Sequence, residues 1–228
     1  MIARLMVCFS VICLAFGAMV PVDWPSQFTI QFASNVTTAA TPPVFPTANT
    51  MWYDFNIKKQ RVDHGAGSYE CVKFYNSDLP CTIWFTPDGL YRQLAAPFPA
   101  GQPECCLDMP EIKASPPDWA RKTDPLPTFK GVDTDIYSGM KNNHWIFLAT
   151  DPTTQKGAHE YKQVEGDSAL SGRPLVFTFP VQDGMQDYLF DPKSMVNGPP
   201  DASLFTLPAS CTNVDGSPLR CPQNSARM

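Results

Sequence analysis

Charge is scarce in this chain. Lys, Arg, Asp and Glu make up 17% of its 228 residues, against about 25% in an ordinary globular protein. The balance is −5 at neutral pH, so there is no basic footprint for nucleic acid or for anionic lipid headgroups. Histidine is scarcer, with three residues, His64, His144 and His159. His159-Glu160 lacks the second histidine of a zinc-protease helix. No Gly-x-Ser-x-Gly elbow and no glycine-rich phosphate loop occurs. No paired Cys-x-x-Cys motif offers a zinc site. Beyond the first residues, no apolar run approaches the ~18 residues of a membrane span. The expected protein is therefore not an enzyme, with no nucleic-acid partner and no transmembrane segment in the mature chain. A hydrolase or glycan-processing activity would need titratable residues converging in a cleft.

Proline is abundant. The 24 prolines are about 10.5% of the chain, roughly twice the usual share. An interior proline removes a helix hydrogen bond and clashes with the preceding turn, which excludes long helices. Aromatic residues at 12% and hydrophobic residues at 43% still supply a core and argue against disorder.

The chain opens with a short basic start ending at Arg4, an apolar run over residues 5–14 broken by Ser10, and small residues at Ala15, Gly17 and Ala18. That order is a secretory signal peptide over residues 1–18, which places the protein outside the cell or in the secretory-pathway lumen. Of eight cysteines, Cys8 and Cys13 lie in this leader, leaving Cys71, Cys81, Cys105, Cys106, Cys211 and Cys221. An even set in a secreted chain reads as a disulfide framework. Adjacent Cys105 and Cys106 are expected to take different partners, because a vicinal bridge strains the peptide between them. Cys211 and Cys221 are close enough to close a local loop. Asn35-Val36-Thr37 is a glycosylation sequon at Asn35.

Residues 19–50 form a Pro/Thr-rich segment in which only 27–33 alternates, through Phe28, Ile30 and Phe32. From Met51 the period-two pattern is strong. Strand candidates cover 51–58, 69–75, 81–86, 90–94, 129–137, 143–150, 158–164 and 174–181, with Pro87-Asp88-Gly89 turning one hairpin. Residues 186–195 read as a short helix or strand. The segment 95–127 holds eight prolines and the double cysteine. It reads as an irregular excursion with one helical turn at 117–122, and such segments usually cover something or move. Residues 212–228 form a tail. The organisation is one mainly β domain over 51–211, with seven to nine antiparallel strands and few short helices.

Two acidic groupings are candidate metal ligands. Asp133-Thr134-Asp135 begins like a calcium loop, but Ser138 occupies the glycine position and no glutamate closes it. Asp183, Asp187 and Asp191 would meet on one face of a helix. Calcium is the only cofactor the sequence raises, and no metal site is assigned. Asp54 and Arg61 are placed to form a buried pair.

The ordered motifs then point to a family. Trp52-Tyr53-Asp54, Arg61-Val62-Asp63-His64, Cys71, Pro80-Cys81, Pro87-Asp88-Gly89, Cys105-Cys106, Pro117-Asp118-Trp119, Asn143-His144-Trp145 and Phe205-Thr206-Leu207-Pro208 precede Cys211. This set, over roughly residues 50–211, resembles secreted ependymin-related and LolA-like proteins of eukaryotes. The resemblance implies a single curved antiparallel sheet, a half-open barrel whose concave face binds a lipid or other hydrophobic small molecule. The helices that plug the LolA half-barrel have no strong counterpart here.

A curved sheet with an apolar concave face needs apolar residues at alternate positions. The candidate cavity liners are Tyr53, Phe55, Ile83, Phe85, Ile146, Leu148, Phe177 and Phe179. The same residues would serve a closed core. The Trp52-Tyr53 strand also resembles the first strand of lipocalins, although Thr50 stands where they have glycine. The other reading is a secreted glycoprotein acting as an adhesion or interaction module, with an exposed apolar patch and no cavity.

Overall fold

The structure is a computed structural model that describes residues 19–37, 49–75, 78–98, 101–124, 126–148, 158–166, 168–181 and 184–222. Side chains at 35–37, 73–75, 148 and 158 are not among what is described. Residues 1–18, which the sequence reads as a signal peptide, the Asn35 side chain and Asp183 fall outside it.

Twelve strands are described: β1 (Gln27–Thr37), β2 (Asn49–Asp54), β3 (Lys59–His64), β4 (Cys81–Thr86), β5 (Gly89–Leu94), β6 (Cys105–Met109), β7 (Thr128–Thr134), β8 (Lys141–Leu148), β9 (Ala158–Val164), β10 (Pro174–Val181), β11 (Gly184–Phe190) and β12 (Val196–Asn197). They form one curved antiparallel sheet in the order β6-β5-β4-β3-β2-β1-β11-β10-β9-β8-β7, with β12 paired to the start of β1. The sheet is not closed into a barrel. Among the described residues, helix is limited to α1 (Tyr69–Tyr75) and short 3₁₀ turns.

The mainly β expectation holds because period-two alternation buries one face of each strand. The clearest sequence hairpin is observed with its turn at Pro87-Asp88: β4 pairs with β5 from Thr86↔Gly89 to Cys81↔Leu94. Glycine is required there. Gly89 has φ +132°, and a Cβ would stand 2.5 Å from the Pro110 backbone.

Four expectations are corrected. The sheet starts at Gln27 rather than Met51, and β1 is its central strand, paired with β2 on one side and β11 on the other. Phe28, Ile30 and Phe32 are buried on one face of it. The excursion contains β6, so its double cysteine lies in a strand, not a loop. Residues 69–75 are a helix rather than a strand. Ser68 precedes it and accepts from Val72 N at 3.0 Å, and Glu70 sits in its first turn, both helix-start signals that the aromatic alternation masked. Finally, β2 ends at Asp54, and Phe55 lies in the turn that leads to β3.

The disulfides are Cys71–Cys81, Cys105–Cys211 and Cys106–Cys221. The adjacent cysteines do take different partners. Cys211 and Cys221 are not joined to each other, because each reaches back to β6. The tail is pinned with them: Leu107 N donates to Leu219 O at 2.7 Å, and Cys221 N donates to Leu107 O at 3.0 Å. Trp84, Tyr91, Cys105, Leu107 and Cys211 form a buried cluster there, with Leu207 packed against it. On the neighbouring strand Arg61 lies over the Trp52 and Trp84 rings, at 5.3 and 4.6 Å. It pairs with Asp63 at 2.8 Å, not with Asp54.

Candidate functional site

On the other face of the sheet the strands present aromatic and aliphatic side chains in rows. One row follows the register Phe28↔Tyr53↔Gln60↔Phe85 across β1–β4. Another follows Trp145↔Tyr161↔Phe177↔Tyr188 across β8–β11. Two segments lie across these rows. Residues 19–26 are held by Trp145 Nε1 donating to Met19 O at 3.0 Å, Val22 N to Gln163 Oε1 at 2.8 Å, and Trp24 Nε1 to the Tyr161 hydroxyl at 2.6 Å. The end of the proline-rich excursion is held by Trp24 N donating to Pro117 O at 3.0 Å and the Tyr53 hydroxyl to Ser115 O at 2.6 Å. Arg121 pairs with Asp23, tying the two covers together. Trp119 packs against Trp24, Phe147, Tyr161 and Phe177, with ring centroids 5.3–5.7 Å apart. Proline suits this role. An extended cover with fixed φ loses less entropy on ordering than a flexible one would.

Between sheet and cover lies a cavity of about 200 Å³. Phe32, Met51, Gln60, Val62, His64, Ile83, Phe85, Phe177, Tyr188 and Phe190 line it from the sheet, and Trp24, Ser115 and Trp119 line it from the cover. None of these described lining residues carries a formal charge at neutral pH.

Of the sequence candidates, Ile83, Phe85 and Phe177 line this cavity. Tyr53 lies in the adjoining core and anchors the cover; burial and nearby Asp118 hold its hydroxyl well above the usual phenol range. Phe55 stacks on Tyr53 at 6.3 Å from the β2–β3 turn. Phe179 shares the face of Phe177 and Tyr188, at 5.4 and 5.3 Å, outside the lining. On β8 the expected wall is displaced by one residue. Trp145 and Phe147 join the inner cluster, which puts Ile146 on the opposite face by strand alternation. Both sets on that strand are apolar, so period alone did not choose. The Leu148 side chain lies outside the described residues. Not singled out by the sequence as liners are Trp24, Phe32, Met51, Gln60, Val62, His64, Ser115, Trp119, Tyr188 and Phe190. For Met51 and Val62 the period-two pattern held the signal. For Trp24 and Trp119 no local pattern did, because a chain crossing over a sheet has no period.

One wall of the cavity is polar behind its surface. His64 is 3% exposed, and its Nδ1 lies 3.4 Å from a Glu70 carboxylate oxygen. Glu70 also accepts from the Tyr188 hydroxyl and from Gln186 Nε2, and from Ser34 Oγ at 3.3 Å. Burial lowers the His64 pKa, opposed in part by Glu70 and Asp63, so the ring is neutral at pH 7. Burial, with Glu70 beside it, holds the Tyr188 hydroxyl well above the usual phenol range. A buried carboxylate satisfied by several donors is a rigid structural group as well as an electrostatic one. No described serine or threonine hydroxyl hydrogen-bonds an imidazole, the arrangement that activates a nucleophile. His144 pairs with Glu160 at 3.2 Å on another part of the sheet.

Among the described residues no group of three or more His, Cys, Asp or Glu side chains is placed to hold a metal. Asp135 caps its own turn, accepting from Tyr137 N, Ser138 N and Ser138 Oγ at 2.7–3.1 Å. Asp187 stands in a strand and accepts from Thr178 Oγ1 at 2.7 Å. Residues four apart in a strand are separated by about 13 Å, so the helical clustering expected of it and Asp191 does not arise. No described helix is long and apolar enough to cross a membrane.

No protein-family model matches the chain, and no curated protein matches it.

Proposed function

We propose that the protein is a secreted, disulfide-bonded, non-enzymatic binder of an apolar small molecule, held between the concave sheet face and its cover. The observation that carries this reading is the cavity of about 200 Å³ walled by aromatic and aliphatic side chains. A close-packed core leaves few voids larger than a water molecule, and dry apolar cavities of ~150 Å³ take up benzene. The resemblance to ependymin-related and LolA-like proteins supports the same reading, and so does the disulfide framework, which suits an oxidising compartment. The volume narrows the ligand. It lies below the roughly 300–1,000 Å³ of drug-sized sites, so the occupant is smaller than a membrane lipid.

Protein secreted from a eukaryotic host is expected to bind naphthalene in a fluorescence titration. Ile83→Trp, which fills the cavity, is expected to abolish that binding while leaving the fold intact by circular dichroism. Equal naphthalene affinity in the two proteins would overturn the reading.

A further inference from the structure

The chemistry of the wall says more about the ligand than that it is apolar. This step rests on the ligand-binding reading above and concerns which molecule the cavity accepts.

Three observations combine. First, no described lining residue is charged. A carboxylate or phosphate buried here would lack a cation, and an unpaired buried charge is the costliest group a protein can bury. Second, the lining has one imidazole, and its two nitrogens differ. His64 Nδ1 lies 3.4 Å from a Glu70 carboxylate oxygen without forming a hydrogen bond to it, close enough for the charge to act on the ring. The carboxylate favours the neutral tautomer with its hydrogen on Nδ1, which leaves Nε2 as an acceptor lone pair. Nε2 makes no hydrogen bond among the described residues. The ring stands edge-on to Phe32 at 5.9 Å and near Tyr188 at 6.4 Å, both cavity liners. Third, two polar side chains beside His64 are engaged, while across the cavity the buried Trp119 Nε1 has no hydrogen-bond partner among the described residues. The Tyr188 hydroxyl donates to Glu70, and Gln60 Nε2 contacts Met51 Sδ at 3.1 Å.

We infer that the ligand is an uncharged molecule of on the order of ten non-hydrogen atoms, carrying one hydrogen-bond donor, a hydroxyl, which it presents to His64 Nε2. The Glu70 cluster is the device that fixes the acceptor tautomer. A fatty acid or phospholipid buried whole in the cavity would exceed its volume and leave its charge without a cation. An apolar alcohol or phenol fits.

Four probes of one shape test this on the intact disulfide-bonded protein at pH 7: naphthalene, 2-naphthol, 2-methoxynaphthalene and 2-naphthoate. 2-Naphthol is expected to bind at least as tightly as naphthalene, because its hydroxyl finds an acceptor. 2-Methoxynaphthalene keeps the oxygen and lacks the donor, and is expected to bind about two- to tenfold more weakly than 2-naphthol. 2-Naphthoate is expected not to bind. In His64→Phe, the order of the two ligands should reverse, with 2-naphthol falling about tenfold below naphthalene because its hydroxyl is now buried without a partner. Equal binding of 2-naphthol and 2-methoxynaphthalene by the wild-type protein overturns the donor assignment, and needs no variant to fold. Binding of 2-naphthoate as tight as that of 2-naphthol overturns the uncharged assignment. Failure of naphthalene itself overturns the underlying ligand-binding reading instead.

Discussion

The two halves of the sheet are held together differently. From β2 to β6 the chain is stapled. All three disulfides among the described residues touch this half, and the tail runs along β6 through hydrogen bonds at Leu107. A buried Arg92–Asp108 pair at 2.8 Å adds to it. From β7 to β11 there is no described disulfide. Order comes from aromatic packing of Trp145, Phe147 and Tyr161 beneath Trp119. The edges follow the same division. β6 is covered by the tail, whereas no described segment covers β7, with Val132 53% exposed and Ile136 beyond it 84% exposed. An uncovered edge strand is a template for pairing with another chain. The cavity sits where the halves meet at β1, so one wall is stapled and the other is packed. The difference shows how a sheet with too many strands for one simple core can still be ordered on both sides of its centre.

The largest expected effect tests the staple. The bridges Cys105–Cys211 and Cys106–Cys221 close loops with sequence separations of 106 and 115. With one in place, the other closes only the short remainder between residues 211 and 221. Removing either by paired alanine substitution is expected to cost about 3 kcal/mol, and removing both roughly 7–8 kcal/mol. Urea denaturation of the two single variants and the combined one reads this directly. A combined loss no larger than one single loss would mean that the tail is not what holds β6.

The packed half is tested next. Trp145 is buried, and Trp145→Ala is expected to cost about 3–5 kcal/mol. Hydrogen exchange should then show protection lost across β7–β11 and retained across β2–β6. Uniform loss over the whole sheet would erase the distinction between the halves.

The smallest effect is acid sensitivity, to which both halves contribute. Unfolded His64 titrates near 6.5, and burial lowers the folded value. Below pH 6.5 the unfolded chain takes up a proton that the folded ring refuses, so stability falls as pH drops through that window. Half-buried His159 on β9 adds a contribution of the same sign. Glu160 behaves differently. Its hydrogen bond to His144 lowers its pKa, so its contribution is present above the ordinary value of 4.5 and is lost as pH falls below it. Denaturation midpoints against pH should show a first decline just below 6.5 that is flattened in His64→Phe, and a second below 4.5 that is not. An unchanged first decline in the variant would show that β3 is not its source.

Much of the fold was legible because strand alternation is a local property. The Pro87-Asp88-Gly89 hairpin, β9 and β10 were readable residue by residue. β1 was half legible, since Phe28, Ile30 and Phe32 alternate, but its place at the sheet centre depends on pairing with β11 some 150 residues away. The helix at residues 69–75 was hidden because an aromatic-rich seven-residue stretch satisfies either period. Its Glu70 is fixed by Gln186 and Tyr188, partners that no local window contains.

By itself the sequence determined the periodicity, the cysteine set and the excess of proline, and with them a mainly β architecture without long helices. The tertiary structure alone decided three things: which face of β8 turns inward, which cysteine reaches β6, and that two proline-bearing segments close over the concave face. The reason is the same in each case. Those outcomes depend on which surfaces meet across large sequence separations. A buried face, a bridge and a cover each gain their free energy only when the distant partner is in place.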